Sequence, residues 1–181
     1  MRIISGLLKG RRFTPPKNLP VRPTTDMAKE SLFNILNNYY YFDELTVLDL
    51  FAGTGNISYE FASRGVPSIT AIDSNYNCIK YITATAEEFD MPIQAIKSNV
   101  FKYLEQSKQQ HTIIFADPPY DFPIEKFEKI PELIFQNQLL ANHGMLIIEH
   151  SKHTDLSHLN HYSFTKSYGG NSFSFFELED N

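Results

Sequence analysis

From Thr46 onward the chain repeats one unit: a short apolar run, a turn carrying an acid, an amide or glycine, then an amphipathic stretch. The runs are "TVLDLF", "SITAID", "IQAIKS", "TIIFAD" and "GMLIIEH". Between them lie "GNISYEFASRG", "NYNCIKYITATAEEF", "VFKYLEQSK" and a helical region from about residue 125 to 140, expected to break near Pro131. Strands that are apolar throughout, rather than alternating, are buried on both faces. Alternation with helices therefore predicts a mostly parallel α/β sheet covered on both sides. The end of the chain differs. "HYSFTKS" and "SFSFFELE", joined across "YGGN", predict an antiparallel hairpin.

Ahead of this body, "RIISGLLKGRRF" reads as two short strands around a glycine-containing connection. A proline-rich connection follows. "TTDMAKESLFNILNN" then has N-cap candidates at Thr25 and Asp26, and Ala28, Leu32, Ile35, Leu36 and Tyr39 recur at helical spacing. The division expected is a basic hairpin extension over 1–24 and one domain over 25–181.

Net charge is −5, but residues 1–30 carry +5 and the remainder −10. A basic segment on an acidic body can be a phosphate footprint or simply a solvated arm. Cys78 is the single cysteine, so no intramolecular disulfide or thiolate cluster forms. The pairs His150/His153 and His158/His161 come with no helix-positioned acid, and no metal is expected. No apolar run reaches the ~20 residues of a bilayer span, and the N-terminus has no signal-peptide core, so a cytoplasmic protein is expected.

The polar residues at the strand ends carry the chemistry. Asp49 precedes the turn "FAGTGN", where Gly53 and Gly55 permit sharp torsions. A carboxylate there repels a pyrophosphate and attracts a cationic amino group, which S-adenosylmethionine has. Ser58 stands where a dinucleotide turn wants its third glycine. Asp73 ends the second strand, suited to ribose hydroxyls or to capping the next helix. Asn99 follows the third, suited to an adenine edge or to a turn. The fourth strand delivers "DPPY": Asp117, two prolines with fixed torsions and no N–H, and the flat ring of Tyr120. An acidic acceptor, fixed carbonyls and a stacking face make a receptor for the exocyclic amine of an extruded nucleobase. Holding both amine hydrogens favours pyramidalisation and turns the nitrogen lone pair toward an electrophile.

"DLFAGTGNI" followed by "DPPY" resembles the class I S-adenosylmethionine-dependent amino-methyltransferases. More narrowly, "MRIISGLLKGRRF" and "RPTTDMAKESLFNIL" resemble the RsmD family of 16S ribosomal RNA guanine-N2 methyltransferases, whose target is guanine 966. The likeness runs from Met1 to at least Tyr120. It implies a Rossmann-like seven-stranded sheet with a reversed last strand. It also implies cofactor contacts at Asp49, Gly53, Gly55, Asp73 and Asn99, with Phe51 and Ala52 in the same turn. Asp117, Pro118, Pro119 and Tyr120 would form the methyl-acceptor site. Lys9, Arg11, Arg12 and Arg22 would contact RNA. The implied substrate is 16S ribosomal RNA or a small-subunit assembly intermediate, met by a monomer. DNA adenine-N6 methylation, protein glutamine methylation, a nicotinamide-dependent oxidoreductase and a non-enzymatic RNA-binding module remain alternatives. All versions of the methyltransferase reading require Asp117 to share a cavity with Asp49 and Asp73.

Overall fold

The computed structural model describes residues 1–19 and 24–179. Seven strands form one sheet: β1 (Thr46–Leu50), β2 (Ser68–Asp73), β3 (Ile93–Lys97), β4 (His111–Ala116), β5 (Leu140–Ser151), β6 (Tyr162–Tyr168) and β7 (Asn171–Glu177). Their order is β3-β2-β1-β4-β5-β7-β6. β1 to β5 are parallel, and β7 runs antiparallel between β5 and β6. This is the Rossmann-like class I architecture expected, including the terminal hairpin.

Among the described residues five α-helices cover the faces: α1 (Asp26–Leu36), α2 (Asn56–Ser63), α3 (Tyr76–Glu88), α4 (Val100–Gln106) and α5 (Ile124–Gln136). Alternation along each strand sorts the side chains. Leu48, Leu50, Ile114, Leu146 and Ile148 pack with Val100, Leu104, Phe127, Ile130 and Ile134 of α4 and α5. On the other face, Val47, Ile113, Phe115, Met145 and Ile147 pack with Leu32, Phe33, Ile57 and Phe61 of α1 and α2. Cys78 is core, as its apolar neighbours imply.

Two expectations need correction. Pro131 does not break its helix: α5 is continuous from Ile124 to Gln136, with Pro131 buried inside it. The missing N–H costs ~3 kcal/mol. Burial of Phe127, Ile130, Leu133 and Ile134 offsets this, each side chain contributing roughly 1.5–3 kcal/mol. The N-terminal segment also forms no pair of strands. Its pairing is one antiparallel bridge, Arg2 with Arg12, with the Ile3 N–H donating to the Arg11 carbonyl at 2.9 Å. What holds the segment is α2. The Leu7 N–H donates to the Ser63 carbonyl (2.7 Å), and the Leu8 N–H donates to the Ser63 hydroxyl (2.9 Å). Gly6 has φ +86°, and a Cβ there would lie 1.9 Å from the Ser63 carbonyl oxygen, so no larger residue fits. Ile3 and Phe13 bury against Tyr59 and Ile82.

One buried carboxylate joins these parts. Glu60, on α2, accepts the Ile4 and Ser5 N–H groups at 2.9 and 3.1 Å and Nε of Arg64 at 2.9 Å. Lys29 of α1, fully buried, places Nζ 3.4 Å from Glu60. The same ammonium donates to the Arg2 carbonyl (2.5 Å) and to Asn56 Oδ1 (2.9 Å). Burial pulls the Lys29 pKa down, and Glu60 opposes the shift. Removing one partner strands the other's charge. Glu60→Ala is therefore expected to cost about 3–5 kcal/mol in urea denaturation. Pairing Glu60→Leu with Lys29→Met should recover only part of it, because the Ile4 and Ser5 N–H groups and Arg64 lose their acceptor.

Candidate functional site

A cavity of about 470 Å³ opens beyond the carboxyl ends of the parallel strands, at the point where the strand order reverses between β1 and β4. Asp49, Asp73, Asn99 and Asp117 all line it. The four strand ends that the sequence singles out converge on one site. β1 is tied to its neighbours there: the Ala52 N–H donates to the Ile72 carbonyl (2.9 Å) and the Asp117 N–H to the Leu50 carbonyl (3.3 Å).

The turn after β1 is left-handed at alternate residues: Phe51 (φ 58°), Gly53 (φ 57°) and Gly55 (φ 86°). A positive φ at a residue as large as Phe51 is strained and persists because its ring is packed, meeting Phe122 edge-on at 5.5 Å. Phe51 thus packs while bordering the cavity, which Ala52 and Gly53 also line. At Gly55 a Cβ would lie 2.7 Å from the Tyr59 ring, so glycine is required by space as well as torsion. The Gly53 N–H donates to one Asp73 carboxylate oxygen and the Asn75 N–H to the other, each at 2.8 Å. Asp73 thereby clamps the turn. The cap of α3 is Asn75, and neither Asp73 nor Ser74 serves as one. Asn99 caps α4, its Oδ1 accepting from the Lys102 N–H at 3.1 Å.

Asp49 is 2% exposed and accepts the Ser58 hydroxyl at 2.6 Å. The serine that breaks the dinucleotide pattern has a use: it orients this carboxyl. Burial pushes the Asp49 pKa up to about 7; Ser58 opposes the shift and Asp73 adds to it. A protonatable buried carboxyl facing a polar cavity fits a ligand with a cationic group. It does not fit a pyrophosphate.

On the other side, Pro118 is buried while Pro119 and Tyr120 are exposed, Tyr120 at 75%. The Pro119 carbonyl accepts the Phe122 N–H at 3.0 Å. Of the two proline carbonyls expected as acceptors, that of Pro118 carries no such backbone hydrogen bond among the described residues. Phe122 anchors this loop between Phe51, Phe101 and Phe127.

Thr24 and Asn171, which sequence reasoning missed, complete the wall together with Glu149, whose place next to a strand end leaves cleft and surface both open in the sequence. Glu149 is buried; the Thr24 hydroxyl donates to one oxygen at 2.7 Å and Asn171 Nδ2 to the other at 2.8 Å. Its place at the carboxyl end of an apolar strand beside β4 was the available signal. Of the basic residues, Lys9, Arg11 and Arg12 are exposed on the N-terminal segment, with Arg11 over the Phe89 ring at 4.5 Å. Arg22 lies outside the described residues. Lys29 is buried and Arg2 pairs with Asp26 at 3.1 Å, so two of the charges counted in the basic cluster are already matched. Met1 Sδ meets the Thr54 hydroxyl at 3.1 Å, placing the segment's base on the rim of the glycine turn. Among the described residues no helix is long and apolar enough to cross a membrane.

Because the folded pKa of Asp49 lies above its unfolded value near 3.9, the native state binds the extra proton. Stability therefore falls as pH rises from about 4 to about 7. Asp49→Asn should unfold at higher urea than the native chain at pH 8, with the difference closing near pH 4.

Comparison with known proteins agrees with the geometry. The model of the family described as conserved hypothetical protein 95 matches residues 1–177. Ribosomal RNA small subunit methyltransferase D of Haemophilus influenzae is 30% identical over 157 residues, covering 84% of this chain and 79% of that protein. YlbH of Bacillus subtilis is 32% identical over 161 residues, covering 86% and 85%. The solved structure of yhhF from Escherichia coli superposes with a TM-score of 0.86 at 28% identity, covering 99% of this chain and 98% of that one. The chain belongs to the conserved hypothetical protein 95 family, the RsmD family that its N-terminal blocks and D-P-P-Y motif resemble.

Proposed function

We propose that this protein transfers a methyl group from S-adenosylmethionine to the exocyclic N2 of a guanine in 16S ribosomal RNA, guanine 966 being the position the resemblance implies. The observation that carries this is the convergence of Asp49, Asp73, Asn99 and Asp117 on one cavity at the sheet's switch point. The matched ribosomal RNA methyltransferase D supports the RNA substrate.

The donor half fits the cofactor by its chemistry. Ionised Asp49 would hold the amino group. Asp73 has acceptor capacity for ribose hydroxyls beside the two N–H groups it already holds. Asn99 retains its amide N–H₂ for an adenine edge while Oδ1 caps α4. Gly53 and Gly55 let the main chain approach closely. Bound there, the cofactor supplies an electrophilic methyl group on a sulfonium.

The acceptor half prepares the nucleophile. Tyr120, exposed at the mouth, offers a stacking face for an extruded base, worth ~1–3 kcal/mol. The Asp117 carboxylate and the Pro118 carbonyl take the two N2 hydrogens and turn the nitrogen lone pair toward the donor half. No base is needed beforehand, because N2 becomes strongly acidic once its new bond to carbon forms. Asp117 then accepts the departing proton or passes it to water. Lys9, Arg11 and Arg12, exposed on the N-terminal segment, would neutralise phosphates of naked RNA or a partly assembled subunit.

Nucleoside mass spectrometry of 16S ribosomal RNA from cells lacking the protein should show one N2-methylguanosine missing, restored by the native gene and not by Asp117→Ala. In vitro, Asp117→Ala should lower kcat by about 100-fold or more. Full activity in that variant would refute the acceptor site. Calorimetry with S-adenosylhomocysteine should show affinity falling up to about tenfold per unit below pH 7 as Asp49 takes up its proton. Asp49→Asn should bind weakly and without that dependence.

A further inference from the structure

The mechanism above uses the carboxyl ends of β1 to β4 and leaves that of β5 without a role. Glu149 sits there, buried, in the wall of the same cavity. Ala116 and Ile148 are the last pair in the β4–β5 register, on strands about 4.8 Å apart. Asp117, just past the end of β4, and Glu149 of β5 are the residues that follow this pair, and both line the cavity. Phe115 and Ile147 face the α1/α2 layer, and two residues further along β5 the strand alternation returns Glu149 to that side. The carboxylate is also aimed. Thr24 holds one oxygen from the segment before α1, and Asn171 holds the other from β7. Thr24 is itself fixed, its carbonyl accepting from Asn56 Nδ2 at 3.2 Å. Asn56 Oδ1 in turn accepts from Lys29. A carboxylate held from two elements at a polar cavity wall is placed to accept a further donor.

We infer that Glu149 is a specificity-determining residue that reads the acceptor base at its ring N1–H. This rests on the guanine-N2 reading above. Guanine presents its N1–H beside the N2 amine, two donors on one edge, and the neighbouring strand ends present two carboxylates. Asp117 takes N2 and Glu149 takes N1–H in a charge-assisted hydrogen bond. Adenine and cytosine carry a lone pair at the corresponding ring nitrogen, which meets the Glu149 carboxylate with repulsion. Selection is thus partly by rejection.

The test uses the full chain and 16S ribosomal RNA ligated to carry either guanine or 2-aminopurine at the target position. 2-Aminopurine keeps the amine to be methylated but has a lone pair in place of N1–H. The native protein should favour guanine by about 100-fold or more in kcat/KM. Glu149→Gln, whose amide N–H can donate to that lone pair, should lower the ratio at least tenfold with S-adenosylhomocysteine affinity unchanged. Thr24→Val, which keeps the carboxylate but loses its orienting hydroxyl, should fall between. A guanine preference unchanged in both variants overturns the inference and leaves the proposed function standing. Equal methylation of both bases by the native protein also overturns it, and needs no variant to fold. A native protein that methylates no guanine sinks the proposed function and this inference together.

Discussion

β1 is hydrogen-bonded on both flanks, to β2 on one side and β4 on the other, and everything about the site follows from this. The chain leaves β1 for one edge, builds β2 and β3, then must return past β1 to lay down β4. The connections after β1 and β4 therefore leave toward opposite faces, into α2 and α5, and the space between them cannot be filled by either. The carboxylates are partitioned by the same reversal. Asp49 and Asp73 end strands on one side of the gap, Asp117 and Glu149 on the other. A donor pocket and an acceptor pocket arise from one topological constraint.

The second organising element is electrostatic. Glu60 is buried against a lysine, an arginine and two backbone N–H groups, so its charge is matched by donors from three parts of the chain. Such pairs contribute little net stability against apolar replacements, but they demand that every partner be present. In this fold that demand fixes α1, α2 and the N-terminal segment relative to one another. Through Asn56 it reaches Thr24 at the cavity wall.

Much of the sheet was legible in the sequence, because strands buried on both faces leave an apolar signature that little else produces. "SITAID" is β2 to the residue, and "TVLDLF" overruns β1 by Phe51 alone. The site was legible where it lies at strand ends, since position in the repeat marks Asp49, Asp73, Asn99 and Asp117. What escaped depends on meetings between distant residues. Thr24 and Glu149 are 125 positions apart, and Ser58 gains meaning from Asp49, nine positions back on another element. Lys29 looked like part of a basic surface because sequence charge carries no burial. Pro131 looked like a helix breaker because local propensity carries no knowledge of the core that Phe127 and Ile134 fill.

The seating of the N-terminal segment has an evolutionary consequence. Gly6 lies against the Ser63 carbonyl, Ile4 and Ser5 terminate on Glu60, and Met1 touches the glycine turn through Thr54. Such an arm is not a portable module. Transplanted onto another Rossmann-like scaffold it would lose its anchor unless the acceptors on α2 travelled with it. Arm and helix must then be inherited as one unit, and a lineage that drifted at Glu60 or Ser63 would forfeit the arm before it forfeited the fold.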